Sequence, residues 1–254
     1  MKDRWPIRVL CGVAALMLGA PAAAQPDIDY EGLWTVTLGA SLSRATGNTD
    51  ATSVALQGDA QRLTEESKWT LRGNGLYAKT NGTRNAEQLR AGTRYDWNLT
   101  PWLFVFGGLD LERDEVALLD LRHTTTAGAG YRLFTDYDLS WEVFAGIGYA
   151  RDHYAEPRLV ADALRDSYGY ATLLFGQESV HQFTPTTTGK QRLAAFRNLE
   201  DSGEYRAQWD LSLAVAMTRR LSLTAGLAWR FNSDPGPGFK RSDTLFTSGV
   251  SVKF

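Results

Sequence analysis

Between residues 221 and 232 the chain alternates apolar residues with small or polar ones. Leu221, Leu223, Ala225, Leu227, Trp229 and Phe231 fall on one side of an extended strand, and Ser222, Thr224, Gly226, Ala228, Arg230 and Asn232 on the other. The preceding stretch repeats the pattern, with Ala207, Trp209, Leu211, Leu213, Val215 and Met217 set against Gln208, Asp210, Ser212, Ala214 and Ala216. In the last stretch Phe246, Val250, Val252 and Phe254 alternate with Thr247, Gly249, Ser251 and Lys253. A period of two that persists through consecutive segments predicts an antiparallel sheet with one oily and one wet face. In a soluble sandwich the oily face needs a second layer, and the chain has no sequence left to build one. A barrel closed on itself, with lipid outside, satisfies the same pattern.

Runs of about 10 to 14 residues with this character, bounded by turn signals, place twelve strands. They lie near 33–45, 50–62, 68–79, 86–97, 102–113, 120–133, 138–152, 166–180, 187–198, 204–217, 220–232 and 243–254. An even count returns both ends to one side, and ten or fourteen strands would do the same. With a periplasmic amino end, the even-numbered turns at 64–67, 99–101, 135–137 and 218–219 are short, as such barrels require. The odd-numbered connections include the two longest, 154–165 and 233–242. The second of these contains Pro235-Gly236-Pro237-Gly238, which cannot continue a ladder. The expected fold is therefore all-β: a transmembrane antiparallel up-and-down β-barrel of about twelve strands. Trp34, Trp69, Trp97, Trp102, Trp141, Trp209, Trp229 and Tyr131 lie near strand ends. Amphipathic rings at such places sit at the border of lipid and water.

Residues 1–24 read as a secretory signal, with Lys2, Arg4 and Arg8 before an apolar run and Ala22-Ala23-Ala24 at the cleavage site. Residues 25–254 then form a single barrel domain in the cell outer membrane. Cys11 is the one cysteine of the 254 residues and leaves with the signal, so no thiol remains for catalysis or metal binding. Loss of those three bases and Asp3 moves the net charge from −2 to about −4. That balance argues against nucleic-acid binding. After residue 24 no stretch approaches the ~18 to 20 apolar residues of a membrane helix, so a membrane-spanning chain must cross with strands.

If the oily residues face lipid, their neighbours face the lumen: Arg72, Asn74, Arg90, Arg94, Asp96, Arg122, Arg132, Glu142, Arg206, Asp210, Arg230 and Lys253. Mixed charges in a narrow barrel pair across it, which fills the lumen, or line a passage through it; twelve strands lie between a filled barrel and a wide pore. The fifth strand is ambiguous, because Phe104 and Phe106 share a face with Asp110, Glu112 and Asp114. Either a bulge shifts its register or two phenylalanines point inward. The acids there, with Glu115 and Asp120, could hold a divalent cation, although no spaced loop motif accompanies them and a solvated acidic loop explains them more simply.

No enzyme signature stands out. His123 and Thr125 share the outward face of the sixth strand, a placement suited to lipid hydrolysis, yet the hydroxyl is a threonine and no nucleophile elbow accompanies it. His153 and His181 lack paired ligand spacing. Gly128-Ala129-Gly130 and Gly146-Ile147-Gly148 are embedded in strand sequence and open no helix, so they are not nucleotide loops. They allow close packing or curvature instead.

Several segments together resemble the YdiY-like family of putative salt-induced outer-membrane proteins. They are Thr46-Gly47-Asn48-Thr49, Arg94-Tyr95-Asp96, Phe104 leading to Glu112-Arg113-Asp114, Leu121-Arg122, Gly128-Ala129-Gly130-Tyr131-Arg132 and Asp243-Thr244. The resemblance implies a Gram-negative outer-membrane barrel and carries over no catalytic, metal or cofactor residues. The expected surroundings are outer-membrane lipid and lipopolysaccharide, and the expected state is a monomer. Phe254 is the expected docking signal for the barrel-assembly machinery, acting through the C-terminal strand.

Overall fold

The computed structural model describes residues 32–45, 51–160, 163–201, 203–235 and 240–253. The expected signal segment and Phe254 lie outside these residues. The strands are β1 (Trp34–Ala45), β2 (Ala51–Leu63), β3 (Ser67–Thr80), β4 (Thr83–Asn98), β5 (Leu103–Asp114) and β6 (Leu119–Thr135). They continue as β7 (Leu139–Val160), β8 (Ala163–Thr184), β9 (Thr187–Asn198), β10 (Tyr205–Ala216), β11 (Leu221–Asn232) and β12 (Ser242–Lys253). Each pairs with its sequence neighbours, and β12 pairs back to β1, which closes the barrel. All pairings are antiparallel, so this is the up-and-down arrangement that the alternation predicts. A strand of 12 residues, rising about 3.3 Å per residue and tilted by ~40°, spans roughly 30 Å of a bilayer.

The connections are unequal at the two ends. At the short-turn end the strands are joined through 64–66, 99–102, 136–138, 185–186 and 217–220. Thr64, Thr100 and Thr218 each accept a backbone N–H with their hydroxyl, which fixes these reversals locally. At the opposite end lie the longer connections 199–204 and 233–241, together with the tight Asn81-Gly82 turn, where both residues have positive φ.

The 154–165 connection differs from expectation. It is not an open loop: β7 and β8 run on for 22 residues each, and their ladder resumes beyond an irregularity with Arg158 opposite Arg165 and Val160 opposite Ala163. The irregularity spans 153–158 and contains Pro157, which cannot donate to a ladder. Beyond it Val160 packs against Ala150, Tyr168 and Tyr170.

The outer wall is apolar. Leu38, Leu42, Leu56, Ile147, Phe175 and Phe246 are all exposed on it. Rings gather near the short-turn end, where Trp34 packs at a tilt against Trp69 and Trp69 meets Tyr95 edge on. Other rings gather at the opposite end, where Tyr205 and Trp229 flank Phe231. The indole N–H groups of Trp69, Trp141 and Trp229 donate to Thr93, Gln177 and Ser242, so each ring presents an apolar body with its polar atom satisfied. The buried hydrophobic residues other than Leu119 lie inside the ring of strands, in two clusters.

Candidate functional site: a lumen filled on one side

The inward positions on β4 to β9 carry large side chains, and those on β10 to β12, β1 and β2 carry mostly small ones. On the first side Phe104, Phe106, Phe144, Leu174 and Phe196 form a core within the lumen. This resolves the ambiguity of the fifth strand: β5 holds its register against β4 from Phe104 to Asp114, and both phenylalanines point inward. Glycine makes room for them. A Cβ on Gly130 would fall on the Phe104 ring, and one on Gly176 on the Phe144 ring. These glycines of the sixth and eighth strands thus serve packing.

Charged side chains join this core at three levels. Nearest the short-turn end, Arg94 Nε donates to Asp96 at 2.6 Å and Nη2 lies 3.5 Å from Glu142, while Lys68 Nζ reaches Glu142 at 3.2 Å and Asp96 at 3.9 Å. The Arg94 guanidinium is enclosed by Phe144, Phe106 and Phe104, at 4.3, 4.5 and 5.3 Å from their ring centres. At the middle level Glu178 accepts from Arg72 at 3.1 Å and pairs with Arg192 at 3.7 Å. At the upper level Arg90 donates twice to Glu112, at 2.7 and 3.0 Å, and Arg122 forks onto Asp152. Since Lys68 and Arg72 belong to β3, Glu142 to β7 and Glu178 to β8, these bonds cross the lumen rather than run along the wall.

All ten of the ionisable residues Arg72, Arg90, Arg94, Asp96, Arg122, Arg132, Glu142, Arg206, Asp210 and Arg230 occupy inward positions of the register. Arg132 donates to Asn98 at 2.7 Å and lies over Phe104 at 5.0 Å. Arg230 donates to Asp210 at 2.5 Å. Arg206 lies against Phe196 and Tyr170. The side chain of Lys253 falls outside the described residues. Sequence reading missed Lys68, Glu178 and Arg192, which complete the network, and Asp59 and Lys190, which join the open side. Their inward parity is legible in the alternation; their partners on distant strands are not.

On the small-residue side Ser212 faces Gly226 and Lys190 in register, and Gly39 faces Ser251 and Gln57. Asp59, Gln57 and Ser212, with Lys190 opposite Ser212, are exposed although the ring of strands surrounds them. Water therefore reaches the middle of the barrel along this side. Above it, at the long-connection end, opens a vestibule of about 490 Å³ lined by Arg90, Glu112, Arg122, Asp152, Arg206 and Arg230 among others. Leu159 and Val160 of the β7–β8 hairpin form part of its wall.

The other candidate chemistry disperses. His123 stacks on His153 on the outward face, at 6.2 Å between ring centres, and His181 stacks on Phe183. The acids around the fifth strand point to different partners: Glu112 to Arg90, Asp114 to Gln88 and the Ala117 N–H, and Glu115 to Arg113. Among the described residues no three His, Cys, Asp or Glu side chains converge as a metal site would require.

Among solved structures the chain is similar to the NanC porin, with 13% identity and a TM-score of 0.52 over 87% of this chain and 100% of that one. It is also similar to the translocator domain of the autotransporter NalP from Neisseria meningitidis, with 10% identity and a TM-score of 0.45 over 90% of each chain. A third likeness is to the KdgM porin in complex with oligogalacturonate, with 9% identity and a TM-score of 0.45 over 87% of this chain and 99% of that one. At these identities the likeness to NanC is one of fold. No curated relative matches the chain. A family model described as "Protein of unknown function, DUF481" matches residues 36–254.

Proposed function

The chain belongs to the DUF481 family, in keeping with its resemblance to the YdiY-like proteins, and we propose that it serves in the outer membrane as a narrow, water-filled passage for small solutes. One observation carries this reading: Gln57 and Asp59 of β2 and Ser212 of β10, with Lys190 beside them, stay exposed at mid-barrel while the opposite half of the lumen is packed with phenylalanine. A barrel evolved only as a plug would fill both halves, because water-accessible charge beside lipid-facing wall adds nothing to packing. The charged network then acts as a rigid inner pillar that narrows the bore and sets its shape. A monomer embedded in outer-membrane lipid and lipopolysaccharide suffices for this role, with the short turns periplasmic and the vestibule facing outward.

A second reading, a barrel that maintains the envelope without conducting, is supported by that same pillar. Planar bilayers separate the two. Purified protein is expected to give small, discrete conductance steps, and Ser212→Trp, which places a large ring in the open side, is expected to reduce them severalfold. Silence of the unmodified protein across a wide salt range would remove the passage and leave the structural role.

A further inference from the structure

Arg206 differs from most of the other inward arginines, although Arg192 Nε and Arg94 Nη1 also lack a hydrogen-bond partner. Arg72, Arg90, Arg94, Arg122, Arg132 and Arg230 each donate to a carboxylate or amide oxygen. Arg206 is only 7% exposed, yet its Nη2 finds no hydrogen-bond partner among the described residues. Its guanidinium lies over Phe196 at 5.4 Å and Tyr170 at 5.8 Å. Of the carboxylates that attract it from a distance, Glu112 is engaged by Arg90 and Arg122, Asp152 by Arg122, and Asp110 is drawn more strongly to Arg192 and Arg72; none of the three forms an ion pair with it among the described residues. Glu204, nearby on the vestibule wall, accepts from Asn198 at 2.6 Å. The Tyr170 hydroxyl, on a side chain 1% exposed, is likewise unpartnered. Two buried donors without a partner therefore lie close together, and of the two it is Arg206 that lines the vestibule.

A buried donor left unpaired is destabilising, and more so when it is charged. Local packing gives no return on that cost here, since the aromatic faces could be covered by an uncharged side chain. A guanidinium fork matches a planar carboxylate through two parallel N–H donors, which neither Lys nor a neutral group provides. The vestibule volume lies within the range of small-molecule sites. Asp201 and Asp243 on its wall offer acceptors for hydroxyl groups, while Lys240 and Arg241 at its rim favour the approach of anions.

We propose that the vestibule is a binding site for small hydroxylated carboxylates, held by the Arg206 guanidinium. The site rests on the passage reading for its role in solute entry, whereas binding itself is measurable in a barrel that does not conduct. The test is calorimetric titration of the full barrel in detergent micelles with glucuronate, and with glucose as the uncharged counterpart. Glucuronate is expected to bind and glucose to bind at least tenfold more weakly. Arg206→Gln, which removes a buried charge without leaving one unpaired, is expected to weaken glucuronate about tenfold or more. Equal binding of the two sugars, wild-type affinity in Arg206→Gln, or tighter binding of inorganic phosphate than of glucuronate would overturn the proposal. A silent bilayer with a positive titration would sink the passage and leave the site; conductance without glucuronate binding would do the reverse.

Discussion

Replacing Arg94 by Met should expose how the inner pillar is held. Arg94 and Asp96 are 6% and 0% exposed, and with Lys68 and Glu142 they form a cluster of two cations and two carboxylates. Methionine keeps an apolar, polarisable contact with Phe106 and Phe144 but leaves the cluster with one surplus negative charge. Breaking a buried pair by removing one partner costs about 3 to 5 kcal/mol, and loss of the guanidinium from the enclosing rings adds to that. Asp96→Asn alone leaves a surplus positive charge and should cost a similar amount. In the double variant Lys68 and Glu142 remain as a neutral pair, so its cost should fall short of the sum of the single costs by about 2 kcal/mol. Urea unfolding in lipid vesicles, followed by tryptophan fluorescence and by gel mobility before and after heating, measures all three. Costs that add to within about 0.5 kcal/mol would refute a coupled buried cluster.

Other consequences are independent of this one. Gly130→Val should lower the yield of folded barrel on unheated gels through overpacking of about 1 to 3 kcal/mol or more, and Phe104→Ala in the same chain should restore it; a normal yield from Gly130→Val alone would contradict the close ring packing. Replacing 159–164 by an Asn-Gly turn joins Arg158 to Arg165, which already face one another. The shortened barrel should assemble and should let a water-soluble thiol reagent reach Tyr168→Cys faster; an unchanged rate would mean the hairpin does not shield that position. Deleting Phe254 should reduce assembled protein in the outer membrane, and a normal level would remove its role as a docking signal.

The strands were legible because lipid outside and water inside impose a period of two on every one of them, which is why even the single-residue alternation of 221–232 places β11 correctly. The length of β7 and β8 was hidden, since Pro157 and the charges around it carry the composition of a loop while the ladder resumes beyond them. Phe104 and Phe106 were ambiguous for a related reason: alternation says which residues share a face, and a phenylalanine that packs against inward glycines gives no local sign of doing so. The pairing of Arg72 with Glu178 is set by closure of the ring, which brings β3 and β8 together across 106 residues. No spacing along the chain encodes that distance.

The one-sided lumen can be probed directly by cysteine accessibility in a Cys11→Ser background. Ser212→Cys and Gln57→Cys lie on the open side, and Thr172→Cys and Ala194→Cys lie within the packed side, where the native residues are 0% and 2% exposed. With the barrel in vesicles and a bilayer-impermeant methanethiosulfonate reagent in the water, the first two should be modified readily and the last two should resist. Equal reactivity of all four positions, or protection of Ser212→Cys and Gln57→Cys, would contradict a water-filled path beside a packed pillar.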